Sequence, residues 1–163
     1  MSVLHVDVPK FGSVLITHRC YELINCYCQL DALPEAGGSL VGYLRSDDVW
    51  VISRAMPPSS KSKAGRFWLR RDRGDAQKFI EAAFTESAGA LNYVGEWHTH
   101  PEPTPSPSCK DVKMMSDILK NSQIETSFVF GLILGTTGSM CFWYQTNGER
   151  WVTALEVPVY QSV

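Results

Sequence analysis

The spacing of the histidines is the most informative chemical feature of this sequence, because two of its four histidines, His98 and His100, are separated by one residue. The aromatic and β-branched residues just before them favour extended structure, so we predict a strand over residues 92–100. Successive side chains of a strand point to opposite faces, which places His98 and His100 on one face. Two imidazoles on one face can bind one metal ion.

A third candidate ligand follows a short distance downstream. The proline-rich segment 101–107 prevents the strand from continuing and turns the chain. Ser108 then begins a helix that we predict to run to about Lys120, with Asp111 in its first turn. A zinc ion with three protein ligands keeps a fourth position for a reactive water. The residues also permit a metal-free interpretation, in which Ser108 caps the helix and Asp111 complements the helix dipole.

An acidic residue far upstream, Glu35, precedes the pair Gly37-Gly38 and a predicted strand. Glycine lets the backbone approach a neighbour closely or adopt a positive φ. Leu33-Pro34 ends the preceding helix, because a residue before proline is disfavoured in the helical region. Glu35 is therefore expected in a loop or at a strand start. Taken singly, this segment is an ordinary turn with an exposed glutamate.

Taken together, the two segments resemble the JAMM (also called MPN-plus) metalloprotease family. The family pattern is Glu-x-x-Gly-x-Leu-x-Gly, then His-x-His-Pro, and after a short spacer Ser-x-x-Asp. The matching residues are Glu35, Gly38, Leu40, Gly42, His98, His100, Pro101, Ser108 and Asp111. The sequence around the histidines is similar to that of small stand-alone bacterial members, among them the JAMM isopeptidase of CBASS antiphage operons. The resemblance spans roughly residues 14–138.

The resemblance implies one Zn²⁺ per chain, bound by His98, His100 and Asp111. It assigns Glu35 the role of the general base that takes a proton from water and later delivers it to the leaving amine. It also assigns Ser108 the role of a hydrogen-bond donor to the tetrahedral oxyanion. Because capping would compete for the Ser108 hydroxyl, this last assignment depends on the resemblance.

Two residues beside the predicted site have competing interpretations. Glu96 shares the predicted strand face of the histidines, so it is a rival general base or a residue that orients a ligand from outside the metal shell. We favour Glu35 as the base. Cys109 lies next to Ser108, and a structural role is favoured for it over metal binding or oxidation. The five cysteines are odd in number and lack a Cys-x-x-Cys motif, which indicates buried, reduced thiols.

The residue pattern predicts a mixture of helices and hairpin-connected strands. Strands are predicted at residues 4–8, 13–16, 39–45, 49–55, 66–70, 92–100, 127–134, 140–145 and 150–157. Helices are predicted at residues 19–32, 75–87 with Asp75 as the cap, and 108–120, while 56–65 and 101–107 are expected to be mobile. This is an α+β (mixed α/β) three-layer arrangement. The resemblance implies a JAMM/MPN, cytidine-deaminase-like fold with a curved, mostly antiparallel sheet and three main helices.

Length and charge exclude several other classes. The 163 residues suit a single domain over 1–163, and the net charge of −2 gives no bulk attraction to nucleic acid or anionic membrane. The apolar run 128–134 is too short to span a bilayer, and the first ten residues lack the pattern of a signal peptide. We therefore expect a cytoplasmic protein. The run 66–73 has four arginines and two aromatics, for which an exposed strand is favoured over a nucleic-acid contact.

The resemblance implies an isopeptidase that removes a protein attached through its C-terminus. The expected partner is a protein with an extended C-terminal tail, specifically a cyclic-oligonucleotide synthase conjugate. One alternative is a JAMM peptidase for a ubiquitin-like protein, a sulfur carrier or a small amino-acid derivative. Another is a non-catalytic MPN-type scaffold, although scaffolds of that kind lack the metal residues present in this sequence.

Overall fold

The computed structural model describes residues 4–30 and 32–155. The strands, in chain order, are β1 (Leu4–Val8), β2 (Gly12–Ile16), β3 (Gly37–Leu44), β4 (Trp50–Ala55), β5 (Lys63–Gly65), β6 (Trp68–Arg70), β7 (Asn92–Thr99), β8 (Val129–Leu134), β9 (Met140–Gln145) and β10 (Arg150–Leu155). The helices are α1 (His18–Asn25), α2 (Arg73–Glu86) and α3 (Cys109–Asn121). None of these helices is long and apolar enough to cross a membrane.

Most of the strands form one sheet in the order β1-β2-β4-β3-β7-β8-β9-β10, while β5 and β6 pair separately as a hairpin. The pairs β2–β4 and β7–β8 are parallel, and the other neighbours are antiparallel. A parallel pair needs a crossover connection, which α3 supplies between β7 and β8. The crossover brings the start of α3 back to the end of β7, where the histidines lie.

The sheet is covered on both faces. Phe130 and Leu132 of β8 pack with Ile24 of α1, whereas Val129 and Ile133 pack with α3 on the other face. A strand buried on both faces is apolar throughout, which explains the unbroken apolar run that the sequence showed. The predicted mixed α+β, three-layer, mostly antiparallel fold with three helices is confirmed.

Helix α1 is shorter than predicted, because it ends at Asn25 and not near Ala32. Gln29, which is 1% exposed, donates to the carbonyls of Leu33 and Arg66 at 2.8 and 2.7 Å. These contacts bind the chain after the helix to the β5–β6 hairpin and not to a further helical turn. Asp31, which the predicted helix included, lies outside the described residues.

Helix α2 begins earlier than predicted. Asp72 is its N-cap and accepts from the Asp75 amide at 2.9 Å, so Asp75 lies in the first turn and does not cap the helix. The segment 56–65, expected to be a mobile loop, ends in strand β5. The predicted final strand extended to residue 157, but the residues after Leu155 lie outside the described part of the chain.

A bulge in β7 decides which side chains reach the site. The register between β3 and β7 shifts at Leu40/Val41. Val94 and Trp97 consequently both face the core beneath α1, while Tyr93 packs with the α3 cluster. Gly95 lies at the bulge, where a Cβ atom would overlap the backbone of Phe130 on the next strand. The bulge leaves Glu96 and His98 on the α3 side of the sheet.

Candidate metal centre

Strand β7 places the side chains of both histidines close together on one face, as the alternation of strand side chains predicts. His98 and His100 are 4% and 5% exposed, and their Nε2 atoms are 2.9 Å apart. Although β7 ends at Thr99, the His100 amide donates to the Leu134 carbonyl at 3.0 Å. This hydrogen bond extends the pairing with β8 and holds His100 on the same face as His98.

The proline-rich segment 101–107 is tied to the turn between β8 and β9. The Thr136 amide donates to the Glu102 carbonyl at 2.9 Å, and the Ser139 hydroxyl donates to the Pro103 carbonyl. Pro105 is buried and lies against Gly135. These contacts attach the segment to the β8–β9 turn, and the mobility expected from its composition stays a prediction.

Helix α3 then brings Asp111 to the two histidines. Asp111 Oδ1 lies 3.1 Å from His98 Nε2, and its Oδ2 lies 3.2 Å from His100 Nε2. Candidate ligand atoms of these three residues all lie within 4.8 Å of one another. Two imidazole nitrogens and a carboxylate oxygen form a donor set that suits zinc, and three protein ligands are typical of catalytic zinc sites. The residues therefore fit the metal that the sequence predicted.

Ser108 and Asp111 together cap helix α3, and Asp111 also contacts both histidines. The Ser108 hydroxyl oxygen accepts from the Asp111 amide at 3.2 Å, and Asp111 Oδ2 accepts from the Ser108 amide at 2.7 Å. The two interpretations that the sequence left open are thus geometrically compatible. Because the cap uses only a lone pair of the Ser108 oxygen, the hydroxyl proton remains available for donation.

The environment sets the protonation of the three residues. Burial opposes ionisation of Asp111, but hydrogen bonds from His100 and His98 hold its pKa well below the usual range. Burial lowers the pKa of His98. Burial also acts to lower the pKa of His100, but Asp111 outweighs it and the pKa is raised. A metal ion binds neutral imidazole and ionised carboxylate, so the lowered pKa values of His98 and Asp111 favour metal binding, whereas the raised pKa of His100 opposes it.

Glu35 lies beside this cluster. It is 9% exposed, and its amide donates to the Gly65 carbonyl at 2.8 Å. Burial raises the pKa of Glu35 to about 7, although the nearby His100 opposes the shift. A carboxyl group with a pKa near neutrality can both accept and return a proton at physiological pH.

One cavity of about 340 Å³ contains all five residues singled out in the sequence, namely Glu35, His98, His100, Ser108 and Asp111. A larger groove of about 1430 Å³ runs along α1 and residues 136–139 and contains none of them. Cys109 is exposed, and so is Cys26, so the prediction of buried thiols is wrong for these two cysteines. The Cys109 sulfur is not part of the group of converging ligand atoms. The chemistry suggested by the sequence is therefore confined to the smaller cavity.

Glu96, the rival base, lies on the predicted face but has its carboxylate engaged. It is 2% exposed, its Oε1 accepts from the Tyr93 hydroxyl at 2.9 Å, and its Oε2 forms an ion pair with Arg71. A carboxylate with both oxygens occupied is poorly placed to take a proton from water. Sequence reasoning missed the role of Arg71, whose only signal was its place in the arginine-rich run 66–73.

The same run includes β6 and the turn before it. Arg66 lies over the Phe67 ring at 5.2 Å, and Arg71 is paired with Glu96. Phe67 and Trp68 are 67% and 46% exposed, and both line the cavity that contains the histidines. These contacts match the favoured interpretation of an exposed strand with aromatic side chains.

A family model described as prokaryotic homologues of the JAB domain matches residues 20–152. The chain belongs to this family. The resemblance recognised from the sequence motifs is confirmed, and the match covers every residue of the cavity singled out above.

Several relatives carry the name CD-NTase/cGAS isopeptidase, among them proteins from Escherichia coli and Enterobacter hormaechei. The protein from Escherichia coli is 38% identical over 101 residues, which are 61% of this chain and 64% of the relative. The protein from Enterobacter hormaechei is 30% identical over 139 residues, or 83% of this chain and 76% of the relative. A probable metalloprotease from Sinorhizobium fredii is 29% identical over 90 residues, 55% of each chain. The match thus spans less than two thirds of the E. coli and S. fredii proteins.

The JAB-family fold is also similar to a solved structure of low sequence identity. The solution structure of protein DSY2949 from Desulfitobacterium hafniense superposes with a TM-score of 0.57 at 16% identity, covering 85% of this chain and 88% of that one. At this identity the likeness concerns the fold alone.

Proposed function

We propose that this JAB-family chain is a zinc-dependent isopeptidase that hydrolyses the bond between the C-terminus of a conjugated protein and an amine of its target. The observation that carries the proposal is the convergence of His98, His100 and Asp111 in one cavity with Glu35, whose pKa is raised to about 7 by burial. The names of the E. coli and E. hormaechei relatives support the reaction class.

In the proposed reaction, His98, His100 and Asp111 hold the metal. When bound, zinc supplies Lewis acidity, which acidifies water and polarises a carbonyl group. Glu35 accepts a proton from the water that attacks the carbonyl carbon. It then delivers this proton to the nitrogen of the leaving amine as the carbon–nitrogen bond breaks, so one water is consumed and a carboxylic acid and an amine are released.

Ser108 is the candidate hydrogen-bond donor to the oxyanion. Its hydroxyl proton is not used by the cap and can be donated to the oxygen that becomes negative during attack. Removing a comparable donor from other hydrolases costs about 3–4 kcal/mol of transition-state stabilisation. The helix start reinforces this role, since its partial positive charge favours negative charge nearby.

For the substrate, we propose a cyclic-oligonucleotide synthase attached through its C-terminal residue to a protein amine. The support is the name CD-NTase/cGAS isopeptidase given to several relatives. An extended tail suits this cleft, because it can add to an edge of the two-stranded β5–β6 hairpin through main-chain hydrogen bonds while side pockets provide specificity. Removal of the conjugate would reverse a ubiquitin-like modification and limit antiphage signalling.

The test is a fusion of the synthase tail to an unrelated protein, followed by intact-mass analysis. We expect cleavage directly after the last tail residue, loss of cleavage in Glu35→Gln, and loss when the final tail residues are exchanged. Cleavage of small amino-acid derivatives alone would move the function to small-molecule metabolism. Tail binding without cleavage by zinc-loaded protein would favour a non-catalytic scaffold.

A further inference from the structure

The β5–β6 hairpin forms one wall of the cavity that holds the histidines. Phe67, Trp68 and Leu69 all line this cavity. Phe67 and Trp68 are largely exposed, at 67% and 46%, so they stand at the mouth of the cleft. Any displacement of the hairpin therefore changes the shape of the cleft next to the catalytic candidates.

The turn end of the hairpin is fixed by short contacts to the segment that carries Glu35. The Gly65 carbonyl accepts from the Glu35 amide at 2.8 Å, and the Arg66 carbonyl accepts from Gln29 at 2.7 Å. The Leu69 side chain packs directly over Gly37, where an added Cβ atom would lie 2.6 Å from Leu69 Cδ2. One end of the hairpin is thus tied to the entry of β3.

The base of the hairpin is fixed by a buried ion pair. Arg71 follows the last residue of β6 and precedes Asp72, the N-cap of α2. Its guanidinium pairs with Glu96, and the side chains are 20% and 3% exposed. Glu96 also accepts from Tyr93 and lies two residues before His98 on β7. The pair therefore joins the cleft wall to the strand that carries both histidines.

We propose that Glu96 and Arg71 are positioning residues for substrate: their ion pair fixes the β5–β6 hairpin against β7 so that the wall bearing Phe67 and Trp68 holds the substrate tail in the cleft. The kinetic part of this inference rests on the proposed function. A buried ion pair gains little net stability over apolar replacements, because desolvation offsets the attraction. Its placement beside a cleft is better explained by the fixed geometry it imposes.

Trypsin reports on the wall directly, because the hairpin and its flanks contain Lys61, Lys63, Arg66 and Arg70. In Glu96→Gln, which keeps the shape of the side chain and its bond to Tyr93, we expect nicking between residues 61 and 70 to be about five-fold faster than in wild type. Arg71→Lys keeps the positive charge but loses the planar guanidinium group, so the nicking rate of this variant should lie between those of wild type and Glu96→Gln. Glu86→Gln breaks the exposed Arg54–Glu86 pair and serves as the matched control, with unchanged nicking.

The second part of the test measures the kinetics of cleavage of the tail fusion by the zinc-loaded proteins. We expect Glu96→Gln to raise KM for the fusion by about ten-fold, with a smaller effect on kcat and an unchanged zinc content. Unchanged nicking and unchanged KM would overturn the proposal, and so would loss of zinc, which would assign Glu96 to support of the metal ligands. If wild type cleaves no conjugate, the proposed function fails, whereas the nicking rates still decide whether the pair fixes the wall.

Discussion

At the residue scale, the chemistry depends on matched protonation states within a few ångströms. Burial raises the pKa of Glu35 to about 7, while hydrogen bonds from the histidines keep Asp111 ionised despite its burial. Two carboxylates in one cavity are thus suited to different tasks, one to exchange a proton and the other to hold a cation. This separation predicts that the general base and the metal ligands can be distinguished by substitution.

Glu35→Gln should abolish turnover of the tail fusion and leave about one zinc per chain, because Glu35 is held by the backbone near Gly65 and not by the ligand cluster. His98→Ala should instead lose most of the zinc, since it removes one of three ligands. Elemental analysis of purified protein measures both. His5→Ala, at an exposed histidine, is the control. Near-normal turnover in Glu35→Gln would refute its assignment as the base.

Ser108→Ala should lower kcat by about 10²–10³-fold if the hydroxyl proton stabilises the oxyanion. It also removes the cap acceptor for the Asp111 amide, which on its own costs about 1 kcal/mol of stability. Ser108→Asp restores a capping oxygen without a hydroxyl donor, so it should recover thermal stability but not turnover. A loss confined to stability in Ser108→Ala would show that Ser108 only caps the helix.

At the element scale, two connections determine where the site forms. The crossover through α3 returns its N-terminus to the end of β7, and the β8–β9 turn holds the proline-rich segment between them through Glu102 and Pro103. Gly135 lies at the centre of this contact. A Cβ atom there would be 2.7 Å from the Glu102 carbonyl oxygen and 2.8 Å from Pro105.

Gly135→Val should therefore push the proline-rich segment outward and shift Asp111 away from the histidines. We expect zinc affinity to fall about 10-fold or more, as when residues supporting metal ligands are changed in other proteins. Competition with a chromophoric chelator measures the affinity, and circular dichroism checks the fold. Gly148→Val is the matched control, because a Cβ atom at Gly148 meets nothing within 4 Å. Equal affinities in the two variants would contradict the role of the turn.

At the scale of the whole molecule, burial of Glu35 in the cleft lowers the stability of the folded chain once its carboxyl group is ionised. Glu35 has a folded-state pKa of about 7, above the ordinary value of 4.5. A raised carboxyl pKa means that stability is fully present below pH 4.5 and is lost as the pH rises through 7. The metal-free protein therefore has a destabilising charge in the cavity at alkaline pH.

Glu35→Gln removes that charge, so the zinc-free variant should have a higher Tm than zinc-free wild type at pH 8, by about 3 °C or more. At pH 4 the two proteins should differ little, because Glu35 is then mostly protonated in both the folded and the unfolded chain. Differential scanning calorimetry at both pH values measures the effect. Glu149→Gln, at an exposed position, should show no difference from wild type at either pH. A pH-independent gain would attribute the effect to packing.

The sequence by itself determined the features that depend on local spacing. The shared face of His98 and His100 follows from strand alternation, and the cap at Ser108 follows from residue type. The unbroken apolar run of β8 indicated a strand. The motif set was specific enough to identify the family, and with it the fold.

Only the tertiary structure decided the features that join distant parts of the chain. The end of α1 depends on Gln29 bonding to Arg66, and the engagement of Glu96 depends on Arg71 and the bulge in β7. The position of the proline-rich segment depends on the β8–β9 turn. Local propensity contains no information about such partners, because each contact forms only after the sheet has brought its two segments together. The pKa of Glu35 belongs to the same class, since burial exists only in the folded chain.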